Sequence, residues 1–155
     1  SGWLTAPEVL RLLRYTCRPL HLRVGIGLGV HEGKLAKNPW DLNGPAFFGA
    51  RSALDDLKRS RQAKTKVVTG GAEELDRLLN AILLLLDTIE TGWTDAQWEA
   101  VHVYEMLGTY AAAGEKLGVA AQNVHKRCQA AHWNAVREAE DALRSAASLL
   151  SPQQG

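Results

Sequence analysis

Five side chains in one short stretch have the chemistry to read a nucleic acid: Gln122, Asn123, His125, Lys126 and Arg127. Carboxamides pair with adenine edges and lysine with guanine, while cations grip phosphates. The surrounding stretch, TYAAAGEKLGVAAQNVHKRCQAA over 109–131, predicts two short helices. The first spans 110–117, the second 121–131, and Gly118-Val119 forms the turn between them. Helices crossing steeply need a small residue where their backbones approach, and Gly114 stands there; the turn needs a positive φ, which Gly118 tolerates. Leu117, Val119, Val124 and Cys128 then fall inward and leave the five polar residues outside. Gln122, Asn123 and Lys126 are expected at base edges, with His125 and Arg127 nearer phosphates. Arg127 also has a plain alternative, an ion pair with Glu115 or Glu105. Ala120 occupies the position where Ser or Thr would cap the second helix, so that helix is expected to start without a side-chain cap.

His125, Cys128 and His132 recur at i, i+3 and i+7, a spacing that puts two imidazoles and a thiol on one helical face. Zinc uses such ligands. Cys128 is needed inward, however, and a fourth ligand is not evident, so neither a metal nor another cofactor is expected.

The glycines at 25, 27 and 29 raise a second possibility. Leu20, Leu22, Val24, Ile26 and Leu28 alternate strictly with His21, Arg23, Gly25 and Gly27, which predicts a strand over 20–28. All its glycines share one face, so something packs closely there or binds there. A dinucleotide fingerprint is excluded, because the spacing departs from G-x-G-x-x-G at Val30 and Glu32. In the turn-rich loop that follows, Trp40 and Asp41 are candidates for lining a ligand pocket.

Eighteen basic residues nearly balance seventeen acidic ones, which excludes a global polycation. The distribution is uneven. Arg51, Lys58, Arg59, Arg61, Lys64 and Lys66 face only Asp55 and Asp56, six against two or a local +4. From Thr94 onward five basic residues meet seven acidic ones, a local −2 that disfavours phosphate binding. The basic segment is thus either a solvated helix end or the source of the missing positive charge. An apolar content of 46% with 23% charged residues fits a globular chain. Two isolated cysteines in apolar helical patterns read as buried thiols in a reducing cytoplasm, and no apolar run is long enough to span a bilayer. The start at Ser1-Gly2, without Met, reads as an internal start or an added remnant.

The remaining elements position these residues. Thr5 to Glu8 reads as a capping box opening a helix over 6–17, with Val9, Leu10, Leu12, Leu13 and Cys17 inward. A helix from Pro45 to about 59 places Phe47, Ala50, Leu54 and Leu57 on one face, and 66–69 is a short strand candidate. The Leu-rich helix over 72–91 carries more than one apolar stripe, so it is expected to be buried on two sides, bridging two halves or lying in a dimer interface. Thr94 to Gln97 is a second capping box, opening a helix to Leu107 that Gly108 stops. A last helix spans 134–150, and 151–155 is expected to be a disordered tail.

This order resembles the SatD family of bacterial proteins: the glycine strand at 23–29, Asn43-Gly-Pro45, the helix Ala46-Phe-Phe-Gly-Ala-Arg51, a short strand and a terminal helix-turn-helix. The C-terminal part is similar to the region-four DNA-binding module of sigma factors through Leu117-Gly-Val119 and Val124-His-Lys-Arg-Cys128. The first half is similar to part of a class III nucleotide cyclase or diguanylate cyclase domain. In those enzymes the matching helix supplies an Asn and, one turn later, an Arg. Arg51 matches the Arg, but Phe47 holds the Asn position. The enzymes' metal-binding carboxylates would precede Ser1, so the chain as given is not expected to catalyse; a longer protein could carry them.

The expectation is therefore a mostly helical α+β chain. A partial cyclase or ferredoxin-like α/β segment spans 1–69, a bridging or dimerisation helix 70–92, and a helix-turn-helix domain 93–150. Its expected activity is sequence-specific binding of double-stranded DNA as a bacterial transcriptional regulator and homodimer. The alternative is a degenerate cyclase-like module that binds a nucleotide-type ligand at Gly25, Gly27, Trp40, Asp41 and Arg51, with the helix-turn-helix contacting protein. The strand at 20–28 would keep an unpaired flank, and a partner chain or an oligomer is expected to complete its sheet.

Overall fold

The computed structural model describes residues 5–18, 20, 22–29, 44–60 and 62–146. Trp40, Asp41, Arg61 and the tail at 151–155 lie outside the described residues. Among the described residues, seven helices and two strands follow in the order α1 (Ala6–Thr16), β1 (Val24–Gly27), α2 (Pro45–Arg59), β2 (Thr65–Val68), α3 (Glu73–Thr91), α4 (Asp95–Leu107), α5 (Tyr110–Leu117), α6 (Ala121–Ala130) and α7 (Trp133–Ser145). The chain is mostly helical. No helix among the described residues is long and apolar enough to cross a membrane.

Two compact units divide the chain, Leu20–Thr88 and Ser1–Pro19 with Ile89–Gly155. The expected division was at 69 and 92. α1 belongs with the C-terminal helices, and the boundary falls inside the last turn of α3.

In the unit Leu20–Thr88, β1 and β2 pair in parallel with Val24 opposite Thr65 and Gly27 opposite Val68. The predicted strand over 20–28 shortens to four residues, the length that β2 can pair. The glycine face is where α2 lies. A Cβ on Gly27 would overlap the Ala46 carbonyl, and one on Gly25 would meet Ala50 and Leu54. Alternating glycines therefore let helix backbone rest on strand backbone. α2 buries Ala53 and Leu57, and the expected inward positions Phe47 and Leu54 are instead partly exposed. So close an approach leaves room beneath the helix for small side chains but not for a phenyl ring.

The far edge of β2 is closed in an unusual way. The Asn80 carboxamide accepts from Val67 N–H and donates to Val67 C=O, both at 2.8 Å, as a neighbouring strand would. Asp76 accepts from Thr69 N–H at 2.8 Å, and Asp87 accepts from the N–H groups of Lys64 and Thr65 at 2.7 and 2.8 Å. α3 thus seals an edge that would otherwise invite pairing with another chain. Within one chain its burial is one-sided: Leu79, Leu83 and Leu86 are buried, whereas Leu78 and Leu85 are exposed.

In the helical unit, α1 is turned from the expected orientation: Leu10 is buried as expected and Cys17 half-buried, but the rest of the expected inward set is not. Val9, Leu12 and Leu13 are exposed, and Arg11 and Arg14 turn inward. Arg11 bonds Glu140 of α7 at 2.9 Å and lies over the Trp133 ring, and Arg14 pairs with Glu90. Glu140 is 2% exposed; burial pushes its carboxyl above the usual range, while the Arg11 hydrogen bond and charge pull it back. Thr5 makes no side-chain cap: its backbone is helical, with φ −101° and ψ −3°, where a capping residue is extended, and Glu8, the other half of the expected capping box, pairs with Arg144. The second capping box forms as expected between Thr94 and Gln97. The core holds Trp93, Trp98 and Trp133 in edge-to-face contact, and Trp93 Nε1 donates to the Ala131 carbonyl at 2.8 Å.

Replacing Asn80 with Leu removes both bonds to Val67, a buried residue, without adding bulk. Chemical denaturation is expected to show a loss of about 1–3 kcal/mol, the cost of leaving backbone polar groups unpaired. Wild-type stability in Asn80→Leu would show that the edge does not depend on this side chain.

Candidate nucleic-acid interface

α5 and α6 form the pair expected from the sequence, and their crossing rests on Gly114. A Cβ there would sit 2.7 Å from the Val119 carbonyl oxygen and 3.0 Å from Ala121 N. Only hydrogen fits. Gly118 ends α5 with φ 66°, the left-handed conformation the turn requires. Thr109, whose side chain accepts from Ala112 N–H, caps α5, and Ala120 opens α6 without a side-chain cap.

Val124 and Cys128 anchor α6, buried to 0% and 2% exposure, while Leu117 and Val119 are half-buried beside them. Gln122, Asn123, His125 and Lys126 are exposed together on the opposite side, and Arg127 is half-buried at its margin. Arg127 makes no ion pair with Glu115 or Glu105 among the described residues; Glu105 lies 3.7 Å from Arg11 instead. His125 meets the edge of the Tyr110 ring at a centroid distance of 5.0 Å, and Tyr110 stacks on Tyr104. Sequence reasoning missed Gln129, which is exposed seven residues beyond Gln122 and so extends the same face, and Lys116, exposed on α5. The signal for Gln129 was its helical spacing.

The local −2 charge is offset by internal pairing. Of the acids counted there, Asp95, Glu105 and Glu140 lie within 4 Å of Arg18 or Arg11, cations from outside that stretch. Lys116, Lys126 and Arg127 make no such pair among the described residues. Within 109–131 these three cations face only Glu115, a net +2.

The basic segment after α2 is partly neutralised. Lys58 pairs with Asp55 at 2.8 Å, and Asp56 takes Arg59 at 2.8 Å and Lys66 at 2.5 Å. These partners hold both aspartates below the usual carboxylate range, the Lys58 and Lys66 hydrogen bonds being the largest causes. Of the candidate ligand residues, Gly25 and Gly27 have their side-chain face filled by α2, so close packing is what occupies that face. Arg51 is exposed on α2, one turn beyond Phe47.

His125, Cys128 and His132 line one hollow of about 300 Å³ with Tyr110, Gln129 and Trp133. His132 stands at the N-cap of α7 with φ 53°, rare for a residue with a side chain. Cys128 is ill-suited to metal: burial, with the Glu105 charge second, pushes its thiol up to about 11, and zinc takes the thiolate.

Comparison of the chain with protein-family models, with curated proteins and with solved structures returns no match.

The raised thiol pKa of Cys128 predicts selective alkylation. At about pH 8 the buried, protonated Cys128 should resist iodoacetamide until the protein is unfolded, while half-buried Cys17 reacts first. Peptide mass mapping that finds Cys128 labelled first in the native protein would contradict this packing.

Proposed function

We propose that the chain binds double-stranded DNA in a sequence-specific manner as a bacterial transcriptional regulator and acts as a dimer, with α5 and α6 as its helix-turn-helix. The carrying observation is the solvent-facing row Gln122, Asn123, Lys126 and Gln129 on a helix whose other side is locked by Val124 and Cys128. A rigid helix with its N-terminal residues unencumbered suits insertion into a major groove. In this reading Gln122 and Asn123 meet base edges in the first turn and Lys126 follows in the second. Arg127, His125 and Lys116 supply phosphate contacts.

The resemblance to the SatD family agrees with this reading and remains part of the proposal. The cyclase-like alternative draws less support. Phe47 replaces the polar residue that phosphoryl-transfer chemistry would need one turn before Arg51, and α2 covers the glycines. No catalytic step is assigned.

Lys126→Ala is the direct test. Fluorescence anisotropy against a selected duplex should show binding weaker by about five- to 150-fold, corresponding to roughly 1–3 kcal/mol for one base-reading contact. Lys126 is exposed, so its melting temperature should stay at the wild-type value. Equal affinity of variant and wild type would remove α6 from the groove.

A further inference from the structure

α3 has two apolar faces, and the unit in which it packs uses one. Asp76, Asn80 and Asp87 turn toward β2, with Leu79, Leu83 and Leu86 buried. On the other side Leu75, Leu78, Ile82, Leu85 and Ile89 recur at alternating spacings of three and four. Leu78 and Leu85 are 60% and 64% exposed, and Leu75, Ile82 and Ile89 are half-buried. A helix that only covers a sheet edge does not require this second stripe, and exposed leucines in a row mark a surface for a partner.

The residue types name the partner. The spacing is a heptad with Leu75, Ile82 and Ile89 at the a positions and Leu78 and Leu85 at the d positions. Two of the three a residues, Ile82 and Ile89, are β-branched, and β-branched a with Leu at d is the combination that favours two parallel strands. The g positions bordering the stripe are Glu74, Ala81 and Thr88, so a single charge flanks it and like charges do not recur along it. Small Ala81 lets a second helix approach closely.

We infer that α3 pairs in parallel with α3 of a second copy of this chain, through a seam of about 21 Å at 1.5 Å per residue. The inference rests on the dimeric part of the proposed function and names the contact that makes the dimer. It is tested without DNA, so the two readings can fail separately.

Sedimentation equilibrium of the full chain at micromolar concentration should give twice the monomer mass of 16.9 kDa. Leu78→Glu with Leu85→Glu should halve the measured mass while keeping the helical circular dichroism, because both side chains are exposed. Leu12→Glu, at an equally exposed position on α1, should leave the dimer intact. Leu85→Cys in a Cys17→Ser background supplies an independent readout, since a parallel seam sets position 85 against its own copy and oxidation should give a disulfide-linked dimer. A wild-type mass of one chain would overturn the inference. So would a dimer that survives both glutamates, or a Leu85→Cys dimer that forms no disulfide.

Discussion

Backbone touches backbone at Gly114, and the arrangement of α5 and α6 depends on that contact. The position a side chain would occupy is 2.7 Å from the Val119 carbonyl, so the two helices can cross only where the residue has no Cβ. That crossing turns Val124 and Cys128 into the core and Gln122, Asn123 and Lys126 to solvent. A larger residue would force the helices apart and rotate or lift the outward row. The same device recurs at Gly25 and Gly27 beneath α2, where it builds a strand–helix layer.

Charge is arranged with similar economy. The helical unit carries many carboxylates, yet those of Glu90 and Glu140 are buried and answered by Arg14 and Arg11 from the distant N-terminal helix. Taking such ions out of water is costly, so these pairs contribute more to fixing where α1 packs than to net stability. Their consequence for function is indirect. With the acidic groups answered by α1 and α7, the α5–α6 pair keeps its own net positive charge, which a phosphate-binding surface requires.

What was legible in the sequence was local. Gly114, Gly118, the Thr94–Gln97 capping box and the glycine alternation of β1 each act within a few residues, and each holds in the structure. The fate of α1 was not legible. Periodicity finds an apolar stripe at Val9, Leu12 and Leu13, but Arg11 turns inward for Glu140, 129 residues away. Nor could spacing reveal that Asn80 would imitate a strand for Val67, since an Asn in a Leu-rich helix gives no sign of what it will meet. The basic run at 58–66 left two readings open, and a count of charges does not show that Asp55 and Asp56 each pair with a cation one helical turn away. The exposed row on α6 was readable because its spacing alone, with a buried Val124 and Cys128 between, determines which side faces out.

The central claim is that α6 is the surface that meets DNA. Two-dimensional amide NMR of the labelled chain, titrated at low salt with a short duplex, tests it residue by residue. The account predicts the largest shift changes at Gln122, Asn123, Lys126 and Gln129, with weaker ones at Lys116, and little change along α2. Changes confined to the 58–66 segment, or none at all, would contradict it.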